Sequence, residues 1–243
     1  MAILTKEEVA QQFPGLQGFE KLVYASGGAH VEGALLTETL LQASGARVVQ
    51  EEATLSVSSD GYQIAGENYD QVILATGAWL GQILDPLGYQ VDVRPQKGQL
   101  RDYQLELDTD DYPVVMPEGE LDIIPFQQGK ISMGATHENE MGFDLTVDQA
   151  LLNQMEIEAL FYYPELAQAE VVGERVGTRA YTSDFSPFWG AVPDRAGLYV
   201  ASGLGSSGLT TGPIIGWHLA QLVVGGKVRL DSADYPVEQY VKK

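Results

Sequence analysis

Gly203-Leu204-Gly205-Ser206-Ser207-Gly208-Leu209-Thr210-Thr211-Gly212-Pro213 is the stretch of sequence that decides the fold. It follows a short apolar segment, residues 198–202, that predicts a strand, and it precedes residues 214–224, which predict an apolar helix. Glycine tolerates positive φ and has no Cβ, so such a turn brings backbone close to a ligand. A helix amino end adds unpaired N–H groups and a positive dipole end, which suit an anionic or carbonyl-rich ligand. A tight turn packed on a sheet explains the same residues equally well.

Acidic residues dominate the composition, with 34 Asp and Glu against 14 Lys and Arg and a net charge of -20. We therefore expect neither nucleic acid nor an anionic membrane as a partner, because both attract positively charged proteins. The absence of cysteine excludes disulfides, thiolate metal sites and thiol catalysis. No apolar run approaches the roughly 18 residues of a membrane span. Residues 1–10 lack the pattern of a secretory signal. The lack of cysteine fits a cytoplasmic protein, which is the location we expect.

Hydrophobic periodicity predicts the secondary structure. Besides 214–224, helices are expected at 1–12, 31–43 and 147–162. Besides 198–202, strands are expected at 21–25, 47–50, 54–58, 62–65, 71–75 and 174–181, with Asp60-Gly61 as a hairpin turn. Alternating segments between 89 and 133 indicate an antiparallel sheet.

The predicted fold class is mixed, α/β together with α+β. An incomplete Rossmann-like α/β part would comprise residues 29–84 and 191–227. It would be interleaved with an antiparallel-sheet domain, residues 1–28 and 85–190, and followed by a C-terminal tail, residues 228–243.

Four segments, in chain order, resemble the family of FAD-dependent amine and D-amino-acid oxidases, which includes glycine oxidase, sarcosine oxidase and D-amino-acid dehydrogenase. They are Val31-Glu32-Gly33-Ala34-Leu35 leading to Gly45-Ala46-Arg47-Val48, Val72-Ile73-Leu74-Ala75-Thr76-Gly77-Ala78-Trp79, Lys130-Ile131-Ser132-Met133-Gly134-Ala135-Thr136, and Gly177-Thr178-Arg179 through the glycine turn at Gly203. The second segment is the sharpest, because it is similar to the strand that meets the flavin in this family. The resemblance implies that FAD is the cofactor.

The family begins with a βαβ unit that carries Gly-x-Gly-x-x-Gly and holds the dinucleotide pyrophosphate. Gly203, Gly205 and Gly208 have this spacing, but they lie near the C-terminus and no second strand ending in an acid follows. We interpret them as the turn at the flavin ring instead. The resemblance thus covers the C-terminal two-thirds of such an enzyme, and we expect the chain to be a fragment.

The resemblance also assigns site residues. Arg179 would pair with the substrate carboxylate, for which the planar guanidinium is well shaped. The family usually has proline next, whereas this chain has Ala180. Asp122 lies near where some relatives place a substrate-contacting tyrosine, and it would favour a substrate amine. A surface ion pair for Arg179 and a solvated acid for Asp122 are the alternatives.

The predicted FAD contacts come from three places in the chain. The backbone of Thr54 would meet the adenine, and the segment 75–79 would line one side of the cofactor. The glycine turn would face the pyrimidine edge of the flavin. The residues concerned are Thr54, Ala75, Thr76, Gly77, Trp79, Gly203, Leu204, Gly205, Ser206, Ser207, Gly208, Leu209 and Thr210.

The implied reaction is oxidation of a small amine or amino acid by hydride transfer to the flavin, with no side-chain acid or base required. We expect no metal site, since the three histidines are scattered. Two alternatives remain open: a cofactor-free remnant with a binding role, and one chain of a split enzyme whose partner supplies the βαβ unit. We also expect self-association, because the absence of that unit would leave strands with unpaired edges.

Overall fold

The secondary structure is taken from a computed structural model that describes all residues, 1–243. The helices are α1 (Lys6–Gln12), α2 (Gly33–Ser44), α3 (Leu80–Leu84), α4 (Gln149–Tyr162), α5 (Gly208–Val223) and α6 (Val237–Tyr240). The strands are β1 (Ala2–Leu4), β2 (Leu22–Tyr24), β3 (Leu55–Ser58), β4 (Gly61–Ile64), β5 (Glu67–Tyr69), β6 (Val72–Leu74), β7 (Gln90–Val91), β8 (Arg94–Gln104), β9 (Asp122–Pro125), β10 (Lys130–Gly134), β11 (Glu170–Tyr181), β12 (Phe188–Ala191), β13 (Leu198–Ser202) and β14 (Val241–Lys242). None of the helices is both long enough and apolar enough to cross a lipid bilayer.

Two units divide the chain. The first comprises residues 1–32, 97–138 and 144–177, and the second comprises 33–96, 139–143 and 178–243. The division expected from the sequence assigned 85–96 and 178–190 to the antiparallel part and 228–243 to a tail, whereas the structure places all three in the second unit. The assignment of one part to FAD and the other to substrate stays a prediction.

The first unit is built on a four-stranded sheet in the order β11-β8-β10-β9. Strand β10 pairs antiparallel with β8 and with β9, and Met133 lies opposite Arg101 and Ile123. Aromatic and aliphatic side chains from the sheet pack with those of α4 into one buried cluster that includes Tyr103, Ile131 and Tyr163. The antiparallel sheet expected between residues 89 and 133 is thereby confirmed.

Helix ends in the first unit follow side-chain signals. The Thr5 side chain accepts a hydrogen bond from the Glu8 N–H, and the Glu8 carboxylate accepts one from the Thr5 N–H, which forms a capping box at α1. Asp148 accepts hydrogen bonds from the N–H groups of Ala150 and Leu151 at α4. These contacts satisfy N–H groups that have no partner within the helices. Both helices therefore begin directly after their capping residues.

The second unit contains a three-stranded sheet in the order β12-β13-β6. Strand β13 pairs antiparallel with β12 and parallel with β6. A separate antiparallel sheet, β3-β4-β5, includes the hairpin expected at Asp60-Gly61. Leu55, Val72, Leu74, Leu198 and Val200 join these sheets in one hydrophobic core.

Three local predictions in the second unit are wrong. Residues 47–50 form no strand, and Val48 and Val49 are exposed; a strand needs a neighbour for its backbone hydrogen bonds, and this segment has none. Helix α5 begins at Gly208 rather than near Ile214, so Pro213 lies inside it. The segment around β6 is not fully buried, since Ile73 is 41% exposed while both its strand neighbours are buried.

Candidate functional site

The candidate site lies at one edge of the three-stranded sheet in the second unit. In the parallel pair, Leu198 is opposite Val72 and Val200 is opposite Leu74. Parallel strands end at the same edge, so the segments that follow them emerge side by side. We name residues 75–79 the β6 loop and residues 203–207 the glycine turn.

The glycine turn requires glycine for steric reasons. Gly203 is buried with φ of 74°, and a Cβ there would lie 2.8 Å from the Ser186 carbonyl oxygen and 2.9 Å from Cγ2 of Thr182. Gly205 has φ of 53°, and its Cβ position is 4.0 Å from the Ala180 carbonyl oxygen. The turn is therefore seated against the end of β11, next to Arg179 in the chain.

Polar side chains of the turn and of the start of α5 bind to the turn's own backbone. The Ser207 hydroxyl and N–H both donate to the Leu204 carbonyl, at 2.7 and 3.1 Å. The hydroxyls of Thr210 and Thr211 donate to the Ser207 carbonyl. No side chain caps the 3-10 turn Gly205–Ser207 or the start of α5. Their leading N–H groups and the helix dipole thus offer a binding place for an anionic or carbonyl-rich group.

The β6 loop has the backbone of a binding turn. Thr76 lies in the sparsely populated bridge region, with φ of -91° and ψ of 10°, and Gly77 has φ of 55°. The Thr76 hydroxyl oxygen is buried and has no hydrogen-bond partner in the chain. Buried polar atoms are normally paired, so this hydroxyl is a candidate partner for a bound water or ligand. Ala75, just before it, is exposed.

Trp79 at the end of the β6 loop is not a core residue. Its side chain is 43% exposed and packs on Phe143 with ring centroids 4.8 Å apart. An indole held by one aromatic neighbour and open on its other side is available for a ligand.

The remaining predicted residues are distributed unevenly. Arg179 is partly buried on β11 and belongs to the same unit as the β6 loop and the glycine turn. Thr54 is exposed just before β3 and makes no hydrogen bond with either loop. Leu209 and Thr210 are exposed in the first turn of α5, while Gly208 and Leu204 are half-buried.

Asp122 belongs to the first unit and is half-buried on β9, opposite Gly134 of β10. Burial raises the pKa of its carboxyl group above the ordinary value, and the nearby His137 opposes this rise. His137 in turn lies 3.5 Å from the Glu120 carboxylate. Asp122 is thus not a fully solvated acid, the alternative considered from sequence.

Sequence reasoning missed Ser202, the last residue of β13. It is 1% exposed, and its hydroxyl donates to the Gly77 carbonyl at 3.0 Å. The available signal was a hydroxyl residue at the end of an otherwise apolar strand, directly before the glycine turn. That signal predicts that Ser202 is buried. It does not predict the hydrogen-bond partner of the hydroxyl, which lies 125 residues away along the chain.

Comparison with known proteins identifies the family. The family described as FAD dependent oxidoreductase (DAO) matches residues 1–222, so the chain belongs to it. The chain is 41% identical, over 96% of its length, to the uncharacterized oxidoreductase YurR of Bacillus subtilis (strain 168). It is 32% identical, over 94% of its length, to glycine oxidase of Pseudomonas aeruginosa. It spans 65% of the length of each of these two relatives.

Solved structures support the same fold. The crystal structure of iminodiacetate oxidase from Chelativorans sp. BNC1 superposes with a TM-score of 0.91 at 33% sequence identity. That match covers 96% of this chain and 66% of the other. The mixed α/β and antiparallel fold class and the family resemblance expected from the sequence are thereby confirmed.

Gly203→Ala should destabilise the chain by about 2–4 kcal/mol, because alanine is strained at positive φ and its Cβ would overlap Ser186 and Thr182. Gly216→Ala is the matched control: its Cβ meets nothing within 4 Å in α5. It should stabilise by about 0.5–1 kcal/mol through helix propensity. Urea unfolding measures both. Equal effects of the two substitutions would contradict a steric requirement at Gly203.

The raised pKa of Asp122 predicts a pH-dependent effect of Asp122→Asn. Above its folded pKa the wild-type carboxylate is charged and partly buried, which lowers stability. The variant should therefore unfold at higher urea than wild type at neutral pH, with the difference vanishing towards the unfolded pKa of about 3.9.

Asp144→Asn is the control of opposite sign. The side chain and backbone of Thr146 hydrogen-bond to Asp144 and lower its pKa. Asp144 therefore stabilises the folded protein at pH values above its unfolded-state pKa. This stabilisation is lost as the pH falls through its folded-state pKa. This variant should be less stable than wild type at neutral pH. A loss of stability in Asp122→Asn at neutral pH would show that the charged Asp122 is stabilised instead.

Proposed function

We propose that this protein acts in the FAD-dependent oxidation of a small amine or amino acid, with glycine and N-substituted glycines as the substrate class. The observation that carries the proposal is the edge of the β6–β13 pair, where the β6 loop and the glycine turn emerge together. The substrate class is supported by the similarity to a glycine oxidase and an iminodiacetate oxidase.

The residues at this edge fit a flavin ring. A Cβ on Gly77 would meet nothing within 4 Å, so a flat ring can approach the backbone there. The unpaired Thr76 hydroxyl offers a hydrogen bond. The glycine turn offers uncapped N–H groups. When bound, FAD supplies the acceptor for a hydride from the carbon beside the substrate nitrogen, and water hydrolyses the resulting imine.

The chain's own residues would bind the flavin and orient its ring. N–H groups of the glycine turn, with Leu209 and Thr210 behind it, would stabilise negative charge at the pyrimidine edge of the ring. Ala75, Thr76, Gly77 and Trp79 would line the other side. Thr54 remains a proposed adenine contact.

Arg179 would hold the substrate carboxylate. A guanidinium binds a carboxylate through two parallel hydrogen bonds and fixes its orientation, which places the neighbouring carbon for reaction. Its position on β11, next to Ala180, whose carbonyl oxygen lies 4.0 Å from the Cβ position of Gly205, supports this role. The Asp122 carboxylate would favour a substrate amine. Its partial burial supports this role, because a partly buried carboxylate selects for a positively charged group beside it.

We further propose that the 243-residue chain alone binds FAD weakly and that a partner chain supplies a βαβ unit for the pyrophosphate. The support is exposed apolar surface in the second unit. Strand β6 has a neighbour on one side only. Helix α2 has no buried residue, and Val48 and Val49 are exposed beside no strand. A cytoplasmic location stays a prediction that rests on the lack of cysteine.

The function is tested by mixing the protein anaerobically with excess FAD and with glycine or iminodiacetate, and following flavin absorbance. Wild type should bleach. Arg179→Ala should raise KM for these substrates by roughly 10- to 150-fold. This range corresponds to the loss of a hydrogen bond to a charged group, which contributes about 1.5–3 kcal/mol. Arg179→Lys should be milder, since it keeps the charge but loses the planar fork.

Two controls accompany this experiment. Flavin content should not change in either Arg179 variant, and amines without a carboxylate should be affected much less. No bleaching by any amino acid or amine would refute the proposed function. Equal losses for substrates with and without a carboxylate would show that Arg179 is structural.

Self-association of the chain without a partner is expected through the open edge of β6, because unpaired strand edges recruit other strands. Light scattering should show a dimer or larger species. Ile73→Lys places a charge on β6 and should shift the population towards monomer. Ile157→Lys is the control, since Ile157 is 72% exposed on α4 in the other unit. A monomeric wild type, or equal shifts in both variants, would contradict pairing at β6.

A further inference from the structure

The parallel ladder between β6 and β13 stops before the two loops begin. Its last residue pair is Val200 with Leu74. Strand β13 continues two residues further, to Ser202, whereas β6 ends at Leu74. The two segments that follow the ladder therefore have no further backbone pairing with each other.

Ser202 bridges this gap. Its hydroxyl donates to the carbonyl oxygen of Gly77 at 3.0 Å, and the side chain is 1% exposed. Among the other hydroxyls nearby, Ser207 binds Leu204 and Thr210 binds Ser207 within their own segment, and the Thr76 hydroxyl has no partner. The Ser202 bond is thus the side-chain hydrogen bond that joins the β6 loop to the end of β13.

The Gly77 carbonyl has two partners. It accepts a hydrogen bond from the Leu80 N–H inside its own 3-10 turn, and the Ser202 hydroxyl adds the bond that ties this turn to the end of β13. A buried hydroxyl directly before Gly203 holds that carbonyl in place. Gly203 is close-packed against Ser186 and Thr182, so the Ser202 bond ties the β6 loop to a turn that is held in place by steric contacts.

We propose that Ser202 is a positioning residue, which fixes the separation of the β6 loop and the glycine turn through its hydrogen bond to Gly77. The inference rests on the proposed function, in which these two backbones flank the flavin ring. Ser202 itself need not touch the cofactor.

The test compares Ser202→Ala with Tyr62→Phe. Tyr62 also donates a buried hydroxyl to a backbone carbonyl, that of Ala196 at 2.8 Å, but at the opposite end of β13. Both variants lose one hydrogen bond of the same kind and should lose similar global stability. They differ only in which end of the strand is released.

Hydrogen exchange is measured on the flavin-free protein, and FAD affinity is measured by titration with FAD until flavin fluorescence is constant. Ser202→Ala should speed exchange of the amides in residues 75–79 and 203–207 by roughly 2- to 12-fold and weaken FAD binding by a similar factor. This factor is the 0.5–1.5 kcal/mol of a typical hydrogen bond at 1.4 kcal/mol per tenfold. Tyr62→Phe should change neither.

The outcomes separate the inference from the function on which it rests. Unchanged exchange in Ser202→Ala, or the same change in Tyr62→Phe, would overturn the positioning role. Faster exchange with unchanged FAD affinity would overturn its importance for the cofactor. If wild type with excess FAD oxidises neither glycine nor iminodiacetate while Ser202→Ala still loosens both loops, the proposed function fails and the link between the loops is supported.

Discussion

The parallel pairing of β6 with β13 is the constraint on which the candidate site depends. It brings residues 75–79 beside residues 203–207, although more than 120 positions separate them along the chain. Once the two strands end at one edge, the chain after β13 must turn sharply past Ser186 and Thr182, and only glycine at 203 has the room and the φ. The uncapped start of α5 follows directly from that turn.

Buried cations impose a comparable constraint in the first unit. The Arg101 side chain is 5% exposed and donates to Glu174, Glu156, Gln149 and Asn153, which tie α4 and β11 to β8. Lys97 is equally buried, donates to the Thr146 carbonyl and lies 3.6 Å from Glu138. Removing one partner of such a group leaves a charge without compensation, so these networks specify how the surrounding segments pack. Although the chain has a net charge of -20 and few basic residues, some of these residues are buried and pair with acidic side chains in the interior.

The sequence predicted features whose cause is local. The Asp60-Gly61 hairpin and the order strand, glycine turn, helix both follow from residues within a few positions of one another. Features that depend on distant partners were missed. Residues 47–50 have strand composition but no neighbour to pair with, and the partner of the Ser202 hydroxyl is fixed only by tertiary structure. Helix α5 starts before the apolar run because it continues directly from the 3-10 turn Gly205–Ser207, a continuity that hydrophobic periodicity does not reveal.

In the proposed function, cofactor binding and substrate choice depend on different groups. Most of the proposed flavin contacts are backbone groups placed by strand topology, and a backbone contact survives many side-chain substitutions. Discrimination among small amino acids must then come from the side chains around the substrate. Arg179 on β11 and the half-buried Asp122 on β9 are the charged groups proposed for that role, since a charge withdrawn from water responds strongly to the charge placed next to it.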